Sequence, residues 1–294
     1  MYKYLITGGC SFTIGDTWVK SLADHLKKDN PNLVVVNTAY HSQGQEMIQK
    51  KVSLAVLDAF ENGVQPDEIL CVVMWSGNER KAWYVSNPLI IDEILGYMPQ
   101  FVGGMSDLFL DLYNKTSDNI GYFKTNNGSQ FSYDKNGGWY FTVNGSETRA
   151  QFIQNHYLFD RHINGFGKLH ISLENIIWLQ SFCKANKVTL VQQFFMDDVI
   201  NKIVQNKDHE ILSYLYNELD YENIIPYGIF DYLHPYIGLP RENALYVGHD
   251  ARKQANGDSE VFHQDGFHPG IKGYEIWWSN VLYPFLLEKA LLND

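Results

Sequence analysis

The chain has 294 residues, enough for about two average domains or one large α/β domain with a sizeable core. Lys and Arg total 23 against 34 Asp and Glu, a formal charge of −11, which argues against a protein that tracks nucleic-acid phosphates. With 45% hydrophobic and 19% charged residues the chain is not disordered, and its 15% aromatic content is high enough to supply rings for sugar faces or interfaces as well as a core.

Tyr4-Leu5-Ile6-Thr7 reads as a buried first strand ending in Gly8-Gly9. Asp16 then caps a helix running to about Lys28, with Trp18, Leu22 and Leu26 near helical spacing. Leu33-Val34-Val35-Val36 is a second buried strand that ends at Asn37. Gln45 to Phe60 is a helix with Ile48, Val52, Ala55, Val56 and Ala59 on one face. Pro66-Asp67-Glu68 introduces a third strand, Ile69 to Trp75. Continuous apolar strands alternating with amphipathic helices imply a parallel sheet covered on both faces. Ligands bind beyond the carboxyl ends of such strands, which brings the loops at 8–16, 37–46 and 76–80 to one edge.

From about Trp83 to Gly165 the alternation degrades. Ser129 to Asn144 reads as a hairpin turning at Asp134 to Gly138, and the stretch 83–165 is an insertion or cap within one domain spanning 1–294. Leu169 to Ala185 is an amphipathic helix, and Val188 to Gln192 a fourth strand. Residues 197–220 are read as largely helical and 221–256 as loop-rich, with Pro226, Pro235 and Pro240. A last helix follows Pro269-Gly270, with Pro284 kinking it. There is no apolar leader at the N-terminus and no run near the ~18 residues of a spanning helix. The expectation is a soluble, cytoplasmic protein without nucleic-acid or membrane partners, of open oligomeric state. Asn127-Gly128-Ser129 and Asn144-Gly145-Ser146 are read as turn chemistry rather than glycosylation sites.

Cys71 and Cys183 lie in apolar stretches and read as small buried residues, and no cysteine spacing fits a zinc site or disulfide framework. Ser11 stands in Gly8-Gly9-Cys10-Ser11-Phe12-Thr13, where a strand-to-helix turn would present its hydroxyl and nearby N–H groups at the ligand edge. This is not the G-x-S-x-G turn of α/β-hydrolases, because position 13 is threonine. Near the other terminus, Asp265-Gly266-Phe267-His268-Pro269 spaces a carboxylate three residues before a histidine. Such a carboxylate can fix the imidazole tautomer and leave the other ring nitrogen to take a proton from serine. Pro269 suits the first turn of the following helix. His263 beside Asp265 raises a weaker metal reading; Cys10 reads as a buried neighbour of Ser11, and His41 as a pocket residue or a cap on the helix at Gln45.

Together these blocks resemble the SGNH/GDSL hydrolase family. Gly9-Cys10-Ser11-Phe12 matches the nucleophile block, Asn37 to Gly44 the second block, Trp75 to Arg80 the third, and Asp265 with His268 the fourth. The chain departs where Cys10 replaces the usual aspartate and where Ser76, not glycine, stands two before Asn78; Trp75 to Arg80 also resembles divergent members from tailed phages and marine viruses. The resemblance implies a three-layer α/β/α sandwich of the SGNH, flavodoxin-like type with an inserted β-containing cap. It implies Ser11 as nucleophile, His268 as base, Asp265 as its orienting partner, and Ser11, Gly44 and Asn78 as oxyanion donors, with no metal and no cofactor. The expected partner is a carboxylic ester, an O-acetyl or short acyl group on a carbohydrate; the alternative is a catalytically silent binding or virion structural protein on the same scaffold.

Overall fold

The structure, a computed structural model, describes residues 1–40, 43–77, 81–85, 122–124, 130–134, 138–143, 165–197, 201, 205, 207–210, 212–237, 260–263 and 268–293. The chain divides into two compact units, Met1–Asn78 with Gly165–Asp294, and Glu79–Asn164.

The first unit is built on a five-stranded sheet. Strands β1 (Tyr4–Gly8), β2 (Val34–Asn37), β3 (Ile69–Trp75), then β8 (Thr189–Phe194) and β9 (Ile224–Gly228) stand in the order β2-β1-β3-β8-β9, all parallel. That is the flavodoxin-like doubly wound order. Successive residues of each inner strand enter different cores, as strand pleating requires. Leu5, Leu70, Val72, Met74 and Val191 pack with Trp18, Leu22 and Trp277. Ile6, Cys71, Val73, Trp75 and Leu190 pack with Ile48, Val52, Leu173 and Ile176. Helices therefore cover both faces: α1 (Trp18–Asp29) and α6 (Ile271–Trp277) on one, α2 (Gln45–Glu61) and α3 (Gly165–Ala185) on the other. Two short helices, α4 (Ser213–Asn217) and α5 (Ile229–Leu233), lie in the chain between α3 and α6.

Each core holds one buried indole–amide tie. Neighbouring Gln192 and Gln193 point to opposite faces of β8; the Trp75 indole N–H donates to Gln192 at 2.9 Å and that of Trp277 to Gln193 at 3.0 Å. Each acceptor offsets the about 1–3 kcal/mol that an unpaired buried donor costs.

Several elements differ from the sequence reading. The N-cap of α1 is Thr17, not Asp16: its side chain accepts the Val19 N–H. β2 is an edge strand with Val34 and Asn37 exposed, not a buried one. The stretch read as loop-rich contains β9 and α5. Of the stretch read as largely helical, the described part includes α4. The last helix does break near Pro284: a π-helical turn, Trp278–Leu282, precedes Tyr283–Glu288. A proline lacks the N–H that an α-helix would need there.

The second unit carries an antiparallel sheet of β4 (Lys81–Val85), β5 (Tyr122–Lys124), β6 (Gln130–Asp134) and β7 (Gly138–Val143), ordered β4-β7-β6-β5. β6 and β7 form the expected hairpin, with Asp134 paired to Gly138. Its register sets Trp83 opposite Phe141, Phe141 opposite Phe131, and Phe131 opposite Phe123. Among the described residues, no helix is long and apolar enough to cross a membrane.

Candidate active site

β1 delivers Ser11. The strand ends at Gly8, and Ser11–Thr13 form a 3-10 turn closed by the Thr13 N–H donating to the Cys10 carbonyl at 2.9 Å. The turn folds back so tightly that a Cβ on Gly9 would lie 2.2 Å from Thr13 Oγ1 and 3.2 Å from the Met74 carbonyl. Only glycine fits without displacing the turn. Cys10 is fully buried in the core shared by α1 and α6, and Phe12 is buried beneath the turn, leaving Ser11 half-buried.

His268 arrives from 257 residues away, on a turn held by a short backbone ladder. The His263 N–H donates to the His268 carbonyl at 2.7 Å, the Gly270 N–H donates to the Val261 carbonyl at 2.8 Å, and Phe262 bridges Pro269. Gly270, not Pro269, adjoins α6 as its N-cap, so Pro269 serves the ladder rather than the helix's first turn.

The two turns meet. His268 Nε2 lies 2.7 Å from Ser11 Oγ, within reach for the serine hydroxyl to donate to the ring nitrogen. The imidazole also rests on Phe12, ring centroids 4.9 Å apart at a 41° tilt, and Phe12 meets Phe195 edge-on at 5.3 Å. Phe195 follows β8, and its ring lies 3.4 Å from where a Cβ on Gly77 would stand. The residues beyond β1, β3 and β8 thus share the carboxyl edge of the sheet.

Gly44 is buried and is the N-cap of α2, its carbonyl taking the Ile48 N–H at 3.1 Å. Among the described residues, no acceptor takes the N–H of Gly44 or of Ser11. Asn78, Asp265 and His41 lie outside the described residues. His263 is exposed. Among the described residues, no three His, Cys, Asp or Glu side chains cluster as metal ligands.

The thiols do not compete with Ser11. Cys71 and Cys183 are buried, and a hydrogen bond to Cys183, then burial, pushes the Cys71 thiol well above its ordinary value. A cavity of about 600 Å³ lies at the other end of β8, lined by Gln180, Cys183, Thr189, Gln192 and Asp220. It is remote from the strand ends that carry Ser11.

The fold and site define the class: a flavodoxin-like α/β/α sandwich with a hydrogen-bonded serine–histidine pair at its carboxyl edge. No family model matches the chain and no curated protein matches it. Solved structures similar to it include a GDSL-like lipase from Bacteroides thetaiotaomicron, at 13% identity and a TM-score of 0.39 over 98% of this chain and 89% of that one. An α/β hydrolase enzyme from the metagenome of Lake Arreo, Spain, matches at 12% identity and a TM-score of 0.36 over 99% and 97%.

Sequence reasoning missed Phe12, which packs on His268, and Phe195, which packs on Phe12. The signal available was their position: one follows Ser11, the other follows the fourth parallel strand.

Proposed function

We propose that this chain is a serine hydrolase of the SGNH/GDSL type that cleaves carboxylic esters, with O-acetyl or short acyl groups on carbohydrate as its substrate class. The observation that carries the reading is the 2.7 Å contact between Ser11 Oγ and His268 Nε2. A serine hydroxyl is a weak nucleophile unless a base takes its proton as the bond to carbon forms. In the reaction, Oγ attacks the ester carbonyl while its proton passes to Nε2. The tetrahedral oxyanion is held by the N–H groups of Ser11 and Gly44 and by the Asn78 amide. His268 then gives its proton to the departing alcohol, leaving an acyl-serine. Water attacks that ester, again deprotonated by His268, and releases the carboxylic acid. Asp265, three residues before the histidine, holds the imidazole tautomer. These steps use no metal or organic cofactor. Residues 1–294 act as one hydrolase domain with an aromatic-rich insertion at about 83–165.

Fluorophosphonate labelling tests the reading. The wild-type chain is expected to be labelled at Ser11, and Ser11→Ala to abolish both labelling and p-nitrophenyl acetate hydrolysis. Absence of labelling, or labelling that survives Ser11→Ala, overturns it. Release of acetate from acetylated saccharides at a higher kcat/KM than from p-nitrophenyl acetate is the outcome expected for the carbohydrate class.

A further inference from the structure

The two loops that supply the proposed oxyanion donors are joined by one side chain. Asn37 ends β2, and its Nδ2 donates to the Thr13 carbonyl at 2.7 Å, gripping the last residue of the turn that begins with Ser11. Its Oδ1 accepts the Ala39 N–H at 3.1 Å, an Asx-type turn that sets the direction of the chain leaving β2 toward Gly44. Both ends of the amide are therefore spent on backbone, one in each loop. Other ties between these segments, among the described residues, include the Tyr40 N–H donating to the Gly9 carbonyl at 3.2 Å, and the Thr38 N–H and hydroxyl both reaching the Thr7 carbonyl, at 2.8 and 3.0 Å. None of those reaches the Ser11–Thr13 turn itself.

We infer that Asn37 is a positioning residue for this site: it fixes the spacing between the Ser11 and Gly44 N–H groups by bracketing the nucleophile turn against the loop that follows β2. The inference rests on the hydrolase reading. Asn37 makes no contact with the reacting atoms and acts through Thr13 and Ala39. Its geometry asks for both a donor and an acceptor on one short side chain. Aspartate keeps the acceptor for Ala39 but cannot donate to Thr13. Alanine keeps neither.

The side chain sits at an exposed edge-strand position, so its replacement leaves both cores untouched. Asn37→Asp and Asn37→Ala are each compared with wild type for fluorophosphonate labelling rate, kcat and KM on p-nitrophenyl acetate, and urea midpoint. Thr38→Val, which removes a neighbouring tie that does not reach the turn, serves as the control. Both Asn37 variants are expected to lose about 10- to 100-fold in labelling rate and kcat, with KM within about twofold, because small misplacements of reacting groups are that costly. Thr38→Val is expected to lower the urea midpoint while keeping the labelling rate. Asn37 variants that are labelled as fast as wild type overturn the inference and leave the hydrolase reading intact. An Asn37→Asp variant with wild-type kcat beside a slowed Asn37→Ala also overturns it, since the donor to Thr13 would then be dispensable. A wild-type chain that is neither labelled nor active overturns the hydrolase reading, and this inference with it.

Discussion

Ser11 and His268 occupy turns of different construction. The serine turn grows directly out of β1, which is paired on both sides, to β2 and β3, and it closes over Gly9 at a distance no side chain tolerates. Among the described residues, no strand of the sheet leads into His268. The histidine turn is clamped by two backbone hydrogen bonds to the segment Val261–His263, and its ring is steadied by Phe12. The place of Ser11 is thus a property of the sheet, whereas the place of His268 depends on a small ladder and on one aromatic ring belonging to the Ser11 turn. Damage to the first should reach global stability; damage to the second should reach activity with little effect on the sheet.

The largest effects remove the pair itself. Ser11→Ala and His268→Ala are each expected to lower kcat by about 10⁴–10⁶, and the double variant to be no slower than Ser11→Ala alone, because the two act as one unit. Additive losses would show the histidine working on something other than the serine. Next comes Asn78→Ala. One amide aimed at a developing oxyanion is worth about 10²–10³ in kcat, so that loss is expected with KM little changed. Near-wild-type kcat with a lowered urea midpoint would make Asn78 a cap after β3, and the oxyanion site one of backbone donors alone.

A second pair of variants separates the turns directly. Alanine at Gly9 collides with the Thr13 side chain, and alanine at Gly270 would stand 2.5 Å from the Glu260 carbonyl. Overpacking of this kind costs about 1–3 kcal/mol. Because Gly9 meets the Thr13 hydroxyl first, Thr13→Ala is expected to restore part of the stability and kcat lost in Gly9→Ala, with the Thr13 Cβ at 2.9 Å and the Met74 carbonyl at 3.2 Å still to be accommodated. Gly270 meets backbone, so no neighbouring side-chain change relieves it, and Gly270→Ala is expected to lose kcat with a smaller shift in urea midpoint than Gly9→Ala. Equal responses to both substitutions would dissolve the contrast between the turns.

Much of the architecture was legible because the hydrophobic code is dense where the sheet is central. Ile69 to Trp75 is apolar without a break and is buried along its whole length, and the hairpin announced itself through Asp134 to Gly138. The edges were harder. Leu33 to Val36 looks buried by composition, but β2 has a single neighbour and Val34 faces solvent. Ile224-Ile225-Pro226 reads as loop because proline cannot donate to a sheet ladder; β9 tolerates it as the opposite edge strand, with Pro226 exposed. Ser11 and His268 could be paired from sequence because their chemistry and family pattern are distinctive. The role of Asn37 depends on what lies across the edge from it, which no local pattern encodes.

The smallest expected effect concerns the sheet alone, and it asks whether stability and site can be moved apart. Cys71 sits in β3, the strand beside β1, and its thiol is held well above the ordinary value near 9 by the Cys183 hydrogen bond and by burial. In the unfolded chain the same thiol ionises near that ordinary value. A group whose pKa is raised on folding contributes stability that is complete below the unfolded pKa and declines as pH rises above it. Tyr2 acts with the same sign from a higher starting point: burial lifts its hydroxyl above 10, against a smaller opposing hydrogen bond to Thr189. The urea midpoint is therefore expected to fall as pH rises above about 9, first through Cys71 and then, past about 10, with a contribution from Tyr2. Cys71→Ala should lower the midpoint at neutral pH, because it empties part of a packed core, yet flatten the decline between pH 9 and 10. Fluorophosphonate labelling of that variant at pH 7 should match wild type, since the thiol lies in the core and not at the edge with Ser11. A variant with an unchanged alkaline slope would assign the decline to other groups, and one with slowed labelling would show that the serine turn feels the β3 core as well as its own glycine contact.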